Sequence, residues 1–216
     1  MKISRRLSQL AFGLALLRCL APDAATAQTN QDLKVCRDIK ADPAAIIQSC
    51  GAFLSTRRTV DGRPAPATAL AAIAAFRGFA YVRTGEQNRA LADYDYALNI
   101  DPKAGYAYGL RANLHAAKRE VKAALEDYDR AIQLTKGTAL GENYANRGTV
   151  YLSVGEDALA DSDFKNAVRF DPKSRPRIEL QKERIGSWVA YLKEIQADGD
   201  YENWRQPPFD AAREIN

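Results

Sequence analysis

A pattern of small and aromatic residues recurs along this chain with a period of thirty-four residues. The first copy reads Gly78, Tyr81, Gly85, Ala90, Tyr94, Ala97 and Pro102. The second reads Ala112, His115, Arg119, Ala124, Tyr128, Ala131 and Lys136. After a slip of two residues, the third reads Gly148, Tyr151, Gly155, Ala160, Phe164, Ala167 and Pro172. Self-similarity at this period predicts units that each bury an apolar face only by stacking on their neighbours.

The spacing inside each unit indicates a pair of helices. Ala90, Tyr94 and Ala97 follow the i, i+4, i+7 spacing of a single helical face, and the equivalent residues of the second unit do the same. Asp101-Pro102 and Asp171-Pro172 are expected to end the second helices, because proline disfavours helix at the residue before it. Lys136-Gly137 is expected to end the middle one, since glycine suits a left-handed cap.

These three copies resemble the tetratricopeptide repeat family over roughly residues 71–172, about half of the chain. The resemblance implies an all-α solenoid of helical hairpins that binds proteins or peptides. The middle unit departs furthest from the family pattern, and its His115 is interpreted as a packing residue where tyrosine is usual. The extra residues 137–141 are expected to alter the stacking of the third unit.

The predicted organisation follows the repeats. It comprises a signal peptide (1–27), a leading helical hairpin (28–58), a loop and helix entry (59–70), three repeats (71–104, 105–140, 141–174), a capping helix (175–197) and an aromatic tail (198–216). The capping helix carries apolar residues at helical spacing that are expected to cover the last repeat.

Charged residues also follow the repeat. An arginine replaces the family's leucine in every unit, at Arg77, Arg111 and Arg147. An aspartate recurs as faithfully, at Asp93, Asp127 and Asp163. We interpret these as ion pairs joining first and second helices; the alternative is that the arginines face a ligand. If the pairs form, replacing Asp127 by Leu is expected to cost more stability than replacing Arg111 by Leu.

The N-terminus predicts export. Lys2, Arg5 and Arg6 precede an apolar run from 10 to 20, and Ala25-Thr26-Ala27 suits cleavage before Gln28. The apolar run is too short to span a bilayer. We expect a periplasmic mature chain without a membrane span, with general secretion favoured over the twin-arginine route.

Cleavage would also change the charge. The chain carries +4 at pH 7, of which residues 1–27 contribute +3, so the mature part is close to +1. Nucleic-acid binding, which needs clustered positive charge, is not expected.

Two of the three cysteines, Cys36 and Cys50, would remain after cleavage. Ala41-Asp42-Pro43 between them is a helix-start signal, which places the thiols on opposite arms of a hairpin. A structural disulfide is predicted in the oxidising compartment. A redox-active pair is the alternative, but catalytic dithiols usually have the closer Cys-x-x-Cys spacing. Such a hairpin ahead of the repeats resembles those of exported alphaproteobacterial tetratricopeptide proteins.

No enzyme chemistry is predicted. His115 is the sole histidine, and phosphate-loop and dinucleotide motifs do not occur in the sequence. Neither a catalytic residue nor a metal or cofactor site is therefore assigned.

By the resemblance, partners bind on the concave side, along the first helices. The predicted contact residues are Phe79, Arg83, Tyr106, Asn113 and Thr149. The lining is mostly small and apolar, which favours a peptide with apolar anchors over one held by its carboxylate. We expect a non-catalytic interaction scaffold, an adaptor in envelope biogenesis or secretion. The alternative is a structural protein whose repeat ends stack into homo-oligomers.

Overall fold

The structure, a computed structural model, describes residues 24–59 and 61–198, with side chains described from 30 to 187 apart from residue 60. The greater part of the predicted signal peptide and nearly all of the predicted aromatic tail therefore lie outside the described residues. Residues 24–27, at the predicted cleavage site, form the start of the first described helix.

The described residues form nine α-helices and no extended strand. The helices are α1 (Ala24–Arg37), α2 (Pro43–Thr56), α3 (Ala67–Arg83), α4 (Gln87–Ile100), α5 (Gly105–Ala117), α6 (Val121–Leu134), α7 (Gly137–Ser153), α8 (Asp157–Phe170) and α9 (Arg175–Asp198). A short 3₁₀ turn, Pro172–Ser174, precedes α9. The predicted all-α fold of stacked helical hairpins is confirmed.

Each repeat is an antiparallel pair: α3 with α4, α5 with α6, and α7 with α8. The first helix α5 also contacts both α3 and α7, and the second helices α4 and α6 each pack on the first helix of the next repeat. The first helices therefore form one layer, which is the layer expected to line the concave side of a repeat array.

Small residues allow the two helices of a hairpin to approach closely. A Cβ atom on Gly78 would lie 2.6 Å from Cε1 of Tyr94, and one on Gly148 would lie 2.9 Å from Cε1 of Phe164. The aromatic ring thus occupies the space that a side chain would need. Tyr94, Tyr128 and Phe164 are all buried at the centres of their repeats.

The turns inside the three repeats share a left-handed residue. Gly85 and Gly155 have φ angles of 81° and 83°, and Arg119 takes the same place with φ 60°. Glycine adopts this conformation without a steric penalty, whereas a Cβ atom is disfavoured there. The turn geometry is therefore kept in the middle repeat although its glycine is missing.

The extra residues before the third repeat are helical. Residues 137–141 form the first turn of α7, which is four residues longer than α5. A Cβ atom on Gly141 would lie 3.0 Å from the carbonyl oxygen of Ala167, so the extended helix packs closely on the end of α8. The two additional residues that offset the third copy of the sequence pattern therefore lie within the longer helix α7.

The leading hairpin is tied by a disulfide between Cys36 and Cys50. Asp42 caps α2 by accepting a hydrogen bond from the backbone N–H of Ala45 at 3.1 Å. The helix begins at the next residue, Pro43, as the sequence predicts. Cys36 is the last residue but one of α1. Both cysteines are fully buried and share a cluster with Phe53.

At the other end, α9 covers the last repeat. Ile178 is 1% exposed and packs with Ala145, Ala160 and Phe164. Lys182 adds an ion pair to Asp161 on α8 at 2.8 Å. This half of α9 covers the apolar face that the array would otherwise expose.

Candidate partner-binding groove

The repeated arginines lie between the two helices of each repeat. Every one donates through Nε and Nη2 to both carboxylate oxygens of the aspartate sixteen residues later. The pairs are Arg77–Asp93 (2.8 and 2.6 Å), Arg111–Asp127 (2.7 and 2.8 Å) and Arg147–Asp163 (2.8 and 2.8 Å). The two parallel hydrogen bonds match the planar guanidinium to the carboxylate. The structure thus brings together all six residues that were predicted to form ion pairs between first and second helices.

A second set of carboxylates links successive repeats. Arg111 Nη1 donates to Asp95 of the preceding repeat at 2.6 Å, and Arg147 Nη1 donates likewise to Asp129. These aspartates were not assigned to the arginines in the sequence analysis. The signal was present, since an aspartate follows the paired one by two residues in both the first and the second repeat, at Asp95 and Asp129. Which carboxylate belongs to the neighbouring repeat depends on the stacking of the helices.

The arginines also lie against aromatic rings. Arg111 is 5.7 Å from the ring centre of Tyr108, and Arg147 lies 5.6 and 5.7 Å from those of Tyr144 and Tyr151. Hydrogen bonding by Asp127, opposed by partial burial, raises the pKa of Arg111. Burial by itself would lower the pKa of Arg147. The hydrogen bonds and charges of Asp163 and Asp129 outweigh this effect, so the pKa is raised above its usual value. Because these arginines are held by aspartates and lie against tyrosine rings, they stabilise the fold and are not expected to bind a partner in the groove.

The predicted groove residues fall into two groups. Phe79, Tyr106 and Thr149 lie on the three first helices, and none is fully buried. Tyr106 is 41% exposed, at the start of α5. Burial of its other face and the nearby Asp101 raise the pKa of its hydroxyl to about 12. This tyrosine therefore offers an aromatic face and a neutral hydroxyl to a partner.

Asn113 and Arg83 serve the fold instead. Oδ1 of Asn113 accepts hydrogen bonds from the Tyr128 hydroxyl at 2.6 Å and from Nδ2 of Asn146, in the next repeat, at 3.1 Å. Arg83 Nη1 donates to the carbonyl oxygens of Ile39 and Ala41 at 2.9 and 3.0 Å. It thereby holds the turn of the leading hairpin against the first repeat. The bond from Asn146 and the contacts of Arg83 were not visible in the repeat pattern, because each joins different units.

Several small residues of the first helices are buried. Ala75, Gly109 and Ala145 occupy equivalent places on the first helices, and all three are buried. A Cβ atom on Gly109 would lie 2.6 Å from Oδ1 of Asn143 on the next first helix. These positions are small because neighbouring helices approach there, so they cannot contact a partner.

His115 makes polar contacts within the middle repeat. Its Nδ1 lies 2.5 Å from Glu120 Oε2, and its Nε2 lies 3.9 Å from Asp127 Oδ2. Lys118 and then His115 lower the pKa of Glu120. Within residues 24–59 and 61–198, the metal-binding residue types form no group of three or more that could hold an ion.

The chain is similar in sequence to tetratricopeptide repeat proteins. Tetratricopeptide repeat protein 36 of Bos taurus is 32% identical over 117 residues, which cover 53% of this chain and 60% of that protein. DnaJ homolog subfamily C member 3 of Rattus norvegicus is 31% identical over 101 residues, covering 47% of this chain and 20% of the relative. Photosystem I assembly protein Ycf3 of Synechococcus sp. is 29% identical over 122 residues, covering 55% and 66%.

The similarity covers only part of each relative. The chain spans about 60% of the length of the bovine relative. No family model matches the chain. Within the described part, none of the helices combines the length and apolar character that crossing a bilayer requires.

Proposed function

We propose that this chain is a non-catalytic interaction scaffold that binds a partner protein or peptide along its first helices. The observation that carries this proposal is Tyr106, a large aromatic residue left 41% exposed on the layer where α3, α5 and α7 meet. Aromatic residues of this kind contribute strongly to interfaces because they bury a large area with few rotatable bonds. Phe79 and Thr149 are both half-buried and lie on the flanking helices α3 and α7.

We further propose that the chain works in the periplasm as an adaptor in envelope biogenesis or secretion. The basic and apolar residues ahead of Ala25-Thr26-Ala27 support export, and so does a fully buried disulfide, since such bonds persist in oxidising compartments. The cyanobacterial relative is named an assembly protein, a role that agrees with a scaffold.

Site-specific photocrosslinking tests the binding surface directly. A photoreactive phenylalanine analogue replaces Tyr106 in one variant and Phe170 in the other. Phe170 is the matched control, because it is an aromatic residue of similar exposure, 37%, but lies at the end of a second helix. We expect a discrete crosslinked partner from envelope extracts at position 106 and none, or a much weaker band, at position 170. Equal crosslinking at both positions would reject the first-helix surface.

Two further measurements address processing and assembly. Mass spectrometry of the exported chain is expected to show a first residue of Gln28; a retained leader, or a lipid on Cys19, would contradict export by this route. Light scattering is expected to give a monomer mass. A concentration-dependent oligomer would instead favour the stacking of repeat ends.

A further inference from the structure

A cavity of about 800 Å³ lies between the leading hairpin and the first repeat. Its apolar wall is built by Leu33 of α1, Phe53 of α2, and Ile73 and Phe76 of α3. Phe53 and Ile73 are almost completely buried, so they form the deep part. The volume falls within the roughly 300–1,000 Å³ that small-molecule sites occupy. The groove proposed above does not account for this space.

The cavity is held open by the surrounding structure. Ala69 and Ala72 face it from α3, and their small side chains leave space between the larger residues. The Cys36–Cys50 disulfide holds α1 against α2. The chain after α2 is pinned by a backbone bridge between Arg58 and Pro64. The walls are thus positioned before any ligand arrives, which lowers the entropic cost of binding.

The mouth of the cavity is polar. Four residues line it, all exposed or half-exposed: Asn30, Arg37, Thr59 and Asp61. Asp61 accepts hydrogen bonds from the Thr59 hydroxyl and from Arg63 Nε, and these bonds lower its pKa to about 2. Its charge is therefore present and already paired with Arg63.

Arg37 is the remaining charged residue of the lining. Within residues 30–59 and 61–187 it takes part in no ion pair. The lining thus combines an apolar interior with a positive charge at its mouth that pairs with no acidic group among the described side chains. A guanidinium in this position binds a carboxylate through two parallel hydrogen bonds.

We propose that this cavity binds a small amphiphile with an unbranched hydrocarbon body and a single carboxylate head. The body lies among Leu33, Phe53, Ile73 and Phe76, and the head lies at Arg37, with Asn30 and Thr59 as further donors. The site is separate from the Tyr106 surface, so the two proposals can fail independently.

Calorimetry with the full mature chain, its disulfide intact, tests the head and the body of the ligand. The probes are dodecanoate and dodecan-1-amine, both below the concentration at which they form micelles. We expect saturable binding of one dodecanoate per chain, at least tenfold tighter than binding of the amine. Absence of saturable dodecanoate binding, or equal binding of the two probes, would overturn the proposal.

Two sets of variants test the location. Arg37→Gln is expected to weaken dodecanoate binding about tenfold. Lys34→Gln, an exposed basic residue of the same helix outside the lining, is expected to leave binding unchanged. Ala72→Phe and Ala69→Phe fill the cavity and should abolish binding, whereas Ala92→Phe, at an exposed place on α4, should not. Circular dichroism identifies the folded variants. Undiminished binding in Arg37→Gln, or in either folded filling variant, would refute the assignment.

Discussion

Arg111 donates two hydrogen bonds to Asp127, of 2.7 and 2.8 Å, while its third nitrogen reaches Asp95 in the preceding repeat. The side chain of Asp127 is 9% exposed and that of Arg111 is 23% exposed. The carboxylate is therefore the more buried partner, and the arginine is the one that also holds a second carboxylate. This asymmetry determines which half of the pair is costlier to remove.

The first prediction reverses the expectation from sequence. Arg111→Leu leaves the buried Asp127 without its main partner and also frees Asp95, which should cost about 3 kcal/mol. Asp127→Leu leaves Arg111 still bound to Asp95, so we expect a smaller loss of about 1–2 kcal/mol. Urea unfolding monitored by circular dichroism measures both. A larger loss for Asp127→Leu would contradict the geometry; Lys122→Leu, at an exposed place on α6, is the control.

The second prediction concerns the left-handed turn. Arg119→Gly should be more stable than Arg119→Ala by about 0.5–1 kcal/mol, because both changes remove the arginine side chain and only alanine keeps the αL strain of a Cβ residue. Gly85→Ala is the matched reverse change. No neighbouring atom lies within 4 Å of its Cβ position, so its expected destabilisation is purely conformational. Thermal unfolding checks both, and a melting temperature for Arg119→Gly at or below that of Arg119→Ala would be inconsistent with this account.

The third prediction separates framework from groove residues. Asn113→Ala should lower the melting temperature, because it removes the acceptor shared by Tyr128 and Asn146. Tyr106→Ala and Phe79→Ala together should leave the melting temperature nearly unchanged and weaken an identified partner more than about tenfold. The alternative is binding by the segment 201–209, outside the described residues. Loss of binding on deleting that segment, with no effect of the double substitution, would place the partner site there.

The fourth prediction is alkaline unfolding. Burial, and then the neighbouring Asp93 and Asp127, raise the pKa of Tyr94 and Tyr128. The folded state favours the neutral phenols, so their contribution to stability is complete below the unfolded pKa of about 10 and is lost as pH rises above it. Phenolate absorbance should therefore rise together with loss of helix. Replacing both residues by Phe, as the third repeat has at Phe164, should move this transition to higher pH; an unmoved transition would exclude these phenols as its cause.

The fifth prediction concerns the disulfide. Thiol titration of folded chain 28–216 should find no free thiol, and replacing both cysteines by Ser should cost roughly 3 kcal/mol, given the short loop that the bond closes. Two reactive thiols in air-exposed folded protein would rule out a structural bond. Activity of the pair toward a model disulfide substrate would instead indicate the redox alternative.

The sequence alone was sufficient for the helical-hairpin array and for the aspartate that pairs with each repeated arginine inside its own repeat. These features recur every repeat, and a contact inside one unit has a constant separation along the chain, sixteen residues for Arg77 and Asp93. The repeat period therefore shows which contacts recur, and the helical period shows which residues share a face of a helix.

Only the tertiary structure decided the contacts that join unlike units. Arg83 binds a turn more than forty residues away, Asn113 joins two repeats, and the cavity forms where an irregular hairpin meets the first repeat. The stacking angle between neighbouring units determines these contacts. That angle depends on how many residues pack at once between neighbouring units, as Gly109 does against Asn143. The sequence pattern of a single repeat therefore does not determine the angle.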